Sequence, residues 1–336
     1  MLNSFLLQEP IAVLGAGSWG TALAILLANN GQPVRLWGHD AQHMADMAEL
    51  RNNPRYLPGI AFPASLQLVT RLDTALQDVR DVLIVVPSTV FATVLTKLKP
   101  LLTPQARIAW ATKGLSTDHR LLHQVASDLL GPTHSLAILS GPSFAREVAL
   151  GLPTAITAAA TDPAFAQDLV TRFSNHYFRV YLSNDLTGIE ICGVVKNILA
   201  IAAGISDGLH LGANALSALI TRGLTEMQRL GLALGGQPAT FIGLAGLGDL
   251  VLSCTDNQSR NRRFGQAIAQ GKNREQALLS IGQAVEGCVN LPIIYELAQQ
   301  RGVEMPIIEQ VYRVVYQGCS PQDAIHSLLQ RQPRQE

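Results

Sequence analysis

The sequence predicts an α/β amino-terminal domain built on a mostly parallel sheet, followed by an all-helical carboxy-terminal domain. Two patterns and one number carry that reading. From Ile11 to about Ser183, short β-branched-rich runs alternate with helical patterns, as in parallel strands joined by crossover helices. Past Asn184, helix-period apolar runs separated by glycines continue to Leu329 with no convincing strand. The chain of 336 residues also exceeds what one core usually serves. The change of pattern over 183–188 divides it into residues 1–187, the α/β domain, and residues 188–336, the all-helical domain.

The first strand, 11–14, runs into Gly15-Ala16-Gly17-Ser18-Trp19-Gly20 and then the apolar run 21–28. Gly15, Gly17 and Gly20 have the spacing of a dinucleotide-binding turn. The first allows the tight turn, the second lets the backbone approach a pyrophosphate, and the third lets the helix lie close on the strand. Phosphates would sit on the unpaired N–H groups of a helix starting near Ser18. The remaining strands are expected at 33–37, 66–70, 82–86, 107–111, 136–139, 154–159 and 177–181, with helices near 20–30, 41–51, 89–97, 121–130 and 163–173.

The second strand ends Leu36-Trp37-Gly38-His39-Asp40. An NAD-selective site places an acidic residue at such a strand end for the ribose hydroxyls, whereas a 2′-phosphate needs a neutral or cationic donor. Gly38 and His39 precede Asp40, so the choice leans toward NADP(H) without excluding NAD(H). Three further strand ends, Val86-Pro87-Ser88, Ala111-Thr112-Lys113-Gly114 and Ser140-Gly141-Pro142-Ser143, would form a cleft opposite the glycine loop. Lys113 is equally readable as a solvated lysine, and Ser143 as a helix N-cap.

In the second domain the apolar helix 193–203 carries Lys196 and Asn197. An ammonium there must point outward, be paired, or be there for chemistry. Asp249 lies between apolar runs, as an N-cap or as the partner of a cationic site. The segment 255–263 leads into a helix at 264–270, and its Ser259, Arg260 and Asn261 suit an anion as well as a solvated loop.

Bulk properties narrow the partners. Hydrophobic residues make up 48%, charged residues only 15%, and 25 Lys+Arg balance 25 Asp+Glu, so no surface is built for nucleic acid or an anionic membrane. The amino terminus lacks a basic n-region, and the longest apolar run, 189–205, holds Glu190, Lys196 and Asn197. Neither a signal peptide nor an integral membrane segment is expected. Cys192, Cys254, Cys288 and Cys319 show no paired or metal-ligand spacing, which fits reduced thiols in a cytoplasmic protein and no metal site.

GAGSWG, ATKG, SGPSFARE, GVVKN, GLGDL, SCTDNQSRNRRFG and AVEG follow one another in the order and approximate spacing of bacterial-type NAD(P)-dependent glycerol-3-phosphate dehydrogenase, which the chain resembles over nearly its whole length. The resemblance implies a Rossmann-like domain, a helical domain of the 6-phosphogluconate dehydrogenase type, and reversible hydride transfer between NAD(P)H and dihydroxyacetone phosphate, supplying sn-glycerol 3-phosphate for phospholipid synthesis. By position, Ser18, Trp19, His39, Ala145, Arg260 and Glu286 resemble the family's dinucleotide contacts. Lys113 looks like a residue shared by cofactor and substrate, with Gly141 and Ser143 on the substrate side. Lys196 matches the catalytic acid/base, and Asp249, Ser259, Arg260 and Asn261 match substrate contacts. Val289-Asn290 departs from the family, where many relatives carry a basic residue shortly after the Glu-Gly pair. A homodimer is common among proteins with such helical domains. The rival readings are another hydroxyacid dehydrogenase and a dinucleotide sensor without chemistry.

Overall fold

The structure, a computed structural model, describes residues 6–332. The chain forms two compact units: residues up to 116 together with 120–186, and residues 117–119 together with those from 187 onward.

The first unit holds one eight-stranded sheet. Its strands are β1 (Ile11–Leu14), β2 (Val34–Trp37), β5 (Leu66–Val69), β6 (Asp81–Ile84), β7 (Arg107–Trp110), β8 (Leu136–Ser140), β9 (Thr154–Ala160) and β10 (Phe178–Ser183), in the order β10-β9-β8-β7-β6-β1-β2-β5. All eight fall where the alternating pattern puts strands. Neighbours pair in parallel except β8 and β9, which are antiparallel. The link between those two carries only the five-residue helix Ala145–Ala149, so the chain doubles back instead of crossing over. β1, β6 and β8 are buried along their whole length, as expected of strands covered on both faces.

A small hairpin of β3 (Asn52–Asn53) and β4 (Leu57–Ala61) is not anticipated from the sequence, because Pro54, Pro58 and Gly59 make the stretch look like a loop. Asn53 holds it in place. Fully buried, its Nδ2 donates to Ala16 O at 3.0 Å and to Thr21 Oγ1 at 2.8 Å, while its Oδ1 accepts from Tyr56 N at 3.0 Å.

At the amino edge of the sheet, Asp81 and Arg107 open β6 and β7 side by side. Arg107 Nε donates to Asp81 Oδ1 at 2.6 Å, and Arg172 Nε donates to Asp81 Oδ2 at 2.7 Å.

The second unit is all-helical among its described residues. Its core helix, Leu186–Gly208, is longer than the sequence suggests. By length and composition it could cross a membrane, yet its most apolar window is wholly buried within the fold. The helix Arg260–Ala269 begins four residues earlier than expected, capped by Ser259. These two helices approach closely: a Cβ on Gly204 would meet Arg262 O at 1.9 Å, and one on Gly265 would meet Ile201 O at 2.1 Å. That contact carries the capped end of one helix onto the body of the other.

Candidate active site

In the first unit the glycine turn has the geometry its spacing predicts. Gly15 sits at φ +125°, and a Cβ there would strike Val85 O at 2.2 Å. A Cβ on Gly20 would strike Gly15 O at 1.9 Å, so the helix Ser18–Asn29 rests directly on the turn. Gly17, in contrast, has nothing within 4 Å of its missing side chain. That helix start has no side-chain cap, its first turn contains no acidic residue, and the buried Trp19 Nε1 lacks a hydrogen-bond partner among the described residues. Open space beside donor groups at a helix amino terminus fits a dinucleotide pyrophosphate.

The other strand ends line up beside this turn. β6 pairs directly with β1, β7 with β6 and β8 with β7, so their three turns continue the glycine turn along one carboxyl edge; the expected placement opposite it is corrected. Thr112 Oγ1 donates to Val86 O at 2.8 Å, tying two of these ends together. Lys113 is half-buried, and its Nζ donates to Gly141 O at 3.2 Å, which Ser143 Oγ also reaches at 3.0 Å. Ser143 is not an N-cap; Phe144 holds that position, and Ala145 begins the short helix behind it. At the end of β2, His39 is exposed, while Asp40 caps the helix Ala41–Leu50 by accepting from His43 N at 3.1 Å. That bond holds the Asp40 carboxyl below its ordinary value.

In the second unit Lys196 is 7% exposed and paired. Its Nζ donates to Asp249 Oδ1 at 3.0 Å and to Ser253 Oγ at 2.8 Å. Asp249 is therefore the partner of a cation and not a cap: the π-helical turn Leu244–Gly248 runs straight into the helix Asp249–Thr255, and Gly248 is its N-cap. Ser253, four residues after Asp249, projects from the same helix face, a placement that spacing allows but does not announce. Cys254 beside it is buried, which pushes its thiol up to about 12 despite the opposing Lys196 and Arg262 charges.

A second chain of bonds runs alongside. Asn197, next to Lys196, accepts at Oδ1 from Asn261 Nδ2 at 2.9 Å, and Asn261 Oδ1 accepts from Gly287 N at 2.9 Å. Asn197 and Ser253 each bond a predicted site residue, and the sequence singles out neither as a site residue. Ser259 Oγ accepts from Arg262 N at 3.3 Å. Arg260 is half-buried and reaches Gln283 Oε1 at 3.3 Å; burial lowers its guanidinium from the ordinary value, while the Glu286 charge opposes that. Glu286 accepts from Asn290 Nδ2 at 3.1 Å, so the departure at Val289-Asn290 has a structural result: the buried Asn290 holds Glu286, and Val289 is 40% exposed.

The second unit also contains a cavity of about 550 Å³, whose lining includes Ala202, Ile205, Val311 and Leu328. Lys196, Asp249 and Asn261 do not line it, although the charged Arg222, Glu226 and Arg229 do.

Comparison with known proteins agrees in both halves. Residues 10–166 match the family model for the NAD-dependent glycerol-3-phosphate dehydrogenase N-terminus, and residues 185–326 match that for its C-terminus. The glycerol-3-phosphate dehydrogenase [NAD(P)+] of Haemophilus ducreyi is 56% identical over 330 residues, 98% of either chain. The crystal structure of glycerol-3-phosphate dehydrogenase from Coxiella burnetii superposes with a TM-score of 0.95 at 52% identity, covering 97% of this chain and 100% of that one. The Saccharomyces cerevisiae enzyme gives a TM-score of 0.83 at 26% identity, covering 96% and 100%. Matched by both family models and by a relative at more than half identity, the chain belongs to the NAD-dependent glycerol-3-phosphate dehydrogenase family.

Proposed function

We propose that Lys196 is the proton donor in an oxidoreductase that reversibly reduces dihydroxyacetone phosphate to sn-glycerol 3-phosphate with NADPH or NADH, supplying glycerophospholipid synthesis. The observation that carries the assignment is the buried lysine held between Asp249 and Ser253.

Gly15, Gly17, Ser18, Trp19 and Gly20 would hold the dinucleotide, which when bound would supply a hydride to the ketone carbon. As that carbon is reduced its oxygen gains negative charge, and Lys196 gives it one proton from Nζ, leaving an alcohol and a neutral amine. Asp249 favours the charged lysine before transfer, and Ser253 fixes the direction of Nζ. In the oxidative direction the neutral amine takes the hydroxyl proton. Lys113 adds positive field at the carboxyl edge, with Gly141 and Ser143 beside it. Ser259, Arg260 and Asn261 grip the substrate phosphate, where a guanidinium makes two parallel bonds. His39, Ala145, Arg260 and Glu286 complete the dinucleotide contacts.

The working form is a cytoplasmic homodimer. Four cysteines without a disulfide favour a reducing compartment, and the exposed Ile242, Leu247 and Val251 offer apolar surface to a second copy.

Loss of reduced-nicotinamide absorbance tests the reading. Dihydroxyacetone phosphate should be consumed readily and dihydroxyacetone very poorly, because remote phosphate binding orients the carbonyl. Equal turnover of the two compounds, or none of either, overturns it.

A further inference from the structure

We infer that Arg55, at the tip of the β3–β4 hairpin, reads the 2′-phosphate of NADP(H). The inference rests on the reading that a dinucleotide lies along the glycine turn. It moves cofactor choice from the end of β2 alone to a hairpin the sequence does not reveal.

In a sheet of this kind the adenosine ribose lies at the carboxyl end of the second strand, and a carboxylate there bonds the two ribose hydroxyls of NAD. At this strand end Gly38 brings no carboxylate, and a Cβ there would lie 2.4 Å from Met44 Sδ and force that side chain to shift. The first carboxylate, Asp40, is already engaged twice. Its Oδ1 accepts from His43 N at 3.1 Å, and its Oδ2 lies 3.6 Å from Arg55 Nη1. A carboxylate committed to a helix cap is a poor ribose ligand, and the exposed guanidinium 3.6 Å away offsets part of its charge toward a phosphate.

The guanidinium itself is well placed. Asn53 ties the hairpin to Ala16 O within the glycine turn and to Thr21 on the helix that follows, and it also holds Tyr56 N. Arg55, between those residues, is therefore carried in fixed register with the phosphate-binding turn. It lies over the Tyr56 ring at 5.1 Å, its side chain is 60% exposed, and its contact with Asp40 is long. A planar guanidinium with outward-facing donors suits a phosphate monoester, and the exposed His39 adds a neighbouring donor.

Binding of 2′,5′-ADP and of 5′-AMP to the full chain, measured by calorimetry, separates this role from a structural one. Wild type should prefer 2′,5′-ADP. Arg55→Ala should weaken 2′,5′-ADP by about tenfold to a hundredfold and leave 5′-AMP within about twofold, as expected for loss of a charge-assisted contact. Asp40→Asn keeps a capping oxygen while removing the opposing charge, and should tighten 2′,5′-ADP. Equal losses on both probes in Arg55→Ala, or no loss on either, overturn the inference. Wild type that reduces dihydroxyacetone phosphate with NADH yet shows no preference for 2′,5′-ADP also overturns it, while leaving the proposed function intact. Wild type that binds neither nucleotide nor NADH overturns both.

Discussion

Each unit of this molecule buries a charge cluster, and only one of the two is suited to chemistry. In the first unit Asp81, 1% exposed, is gripped by Arg107 and Arg172; in the second Lys196, 7% exposed, is gripped by Asp249 and Ser253. Burial does not separate them, because both take ions out of water and both are paired. Residue type does: a guanidinium keeps its proton in a protein, whereas an ammonium can lose one. Place does too. Asp81 and Arg107 open their strands at the amino edge, and open α/β sheets bind ligands beyond the carboxyl edge. Burial pushes the Asp81 carboxyl up, but the Arg107 bond and the Arg172 charge outweigh it and leave it below its ordinary value. Of these two clusters, the one that can change protonation is suited to chemistry, and the one whose partners forbid that serves architecture.

The largest test of the contrast is Lys196→Arg, which keeps the charge beside Asp249 but cannot release a proton. It should lose on the order of 10²–10⁴ in kcat, the span of a positioned general acid, with NADPH affinity retained. Near-wild-type turnover in a folded variant removes Lys196 from the mechanism. On the other side, Asp81→Asn removes the carboxylate shared by two buried guanidinium groups, leaving Arg107 the carboxylate of Asp168 at 2.7 Å and Arg172 that of Glu9 at 3.7 Å, and should cost about 3 kcal/mol in urea unfolding, with kcat per folded molecule unchanged. If Asp81→Asn lowered kcat and left stability alone, the distinction between the clusters would collapse.

Legibility followed the range of the physics. The eight sheet strands and the glycine turn are local signals, set by β-branched runs, turn residues and a helix start within about ten residues of one another. Lys196 and Asp249 each stand out as a polar residue in an apolar run, but they lie 53 positions apart, and nothing in the pattern says whether they meet. Ser253 is harder still, because a small hydroxyl on a helix has many ordinary uses and its role exists only once Lys196 is placed beside it. The β3–β4 hairpin is hidden for a different reason: its stability comes from Asn53 bonding across the chain to Ala16 and Thr21, which no propensity encodes. The Asp81 cluster likewise joins residues 26 and 91 positions apart.

The smallest expected effect concerns a third buried charge that follows neither design. Glu226 is 3% exposed, and its carboxylate accepts from Ile307 N at 2.7 Å and Ile308 N at 3.2 Å, at the start of the helix Pro306–Tyr316. Burial pushes its carboxyl up to about 7 from 4.5, against those two bonds and the charges of Arg229 and Arg331. The sign follows from where the proton sits. Below the unfolded value both states hold it; between the two values the folded chain keeps a proton that the unfolded chain has released, so stability falls as pH rises; above the folded value the loss is complete. The full span amounts to about 3 kcal/mol at most, since water reaching the group reduces it. Glu226→Gln cannot titrate, so the unfolding free energy of wild type minus that of the variant should decline by roughly 1–3 kcal/mol between about pH 5 and pH 8, because subtraction cancels the other groups. A difference that stays flat across that range would place Glu226 with Asp81, a carboxylate kept ionised by its donors, and would show that backbone N–H groups at a helix start can do for a buried acid what two arginines do at the edge of the sheet.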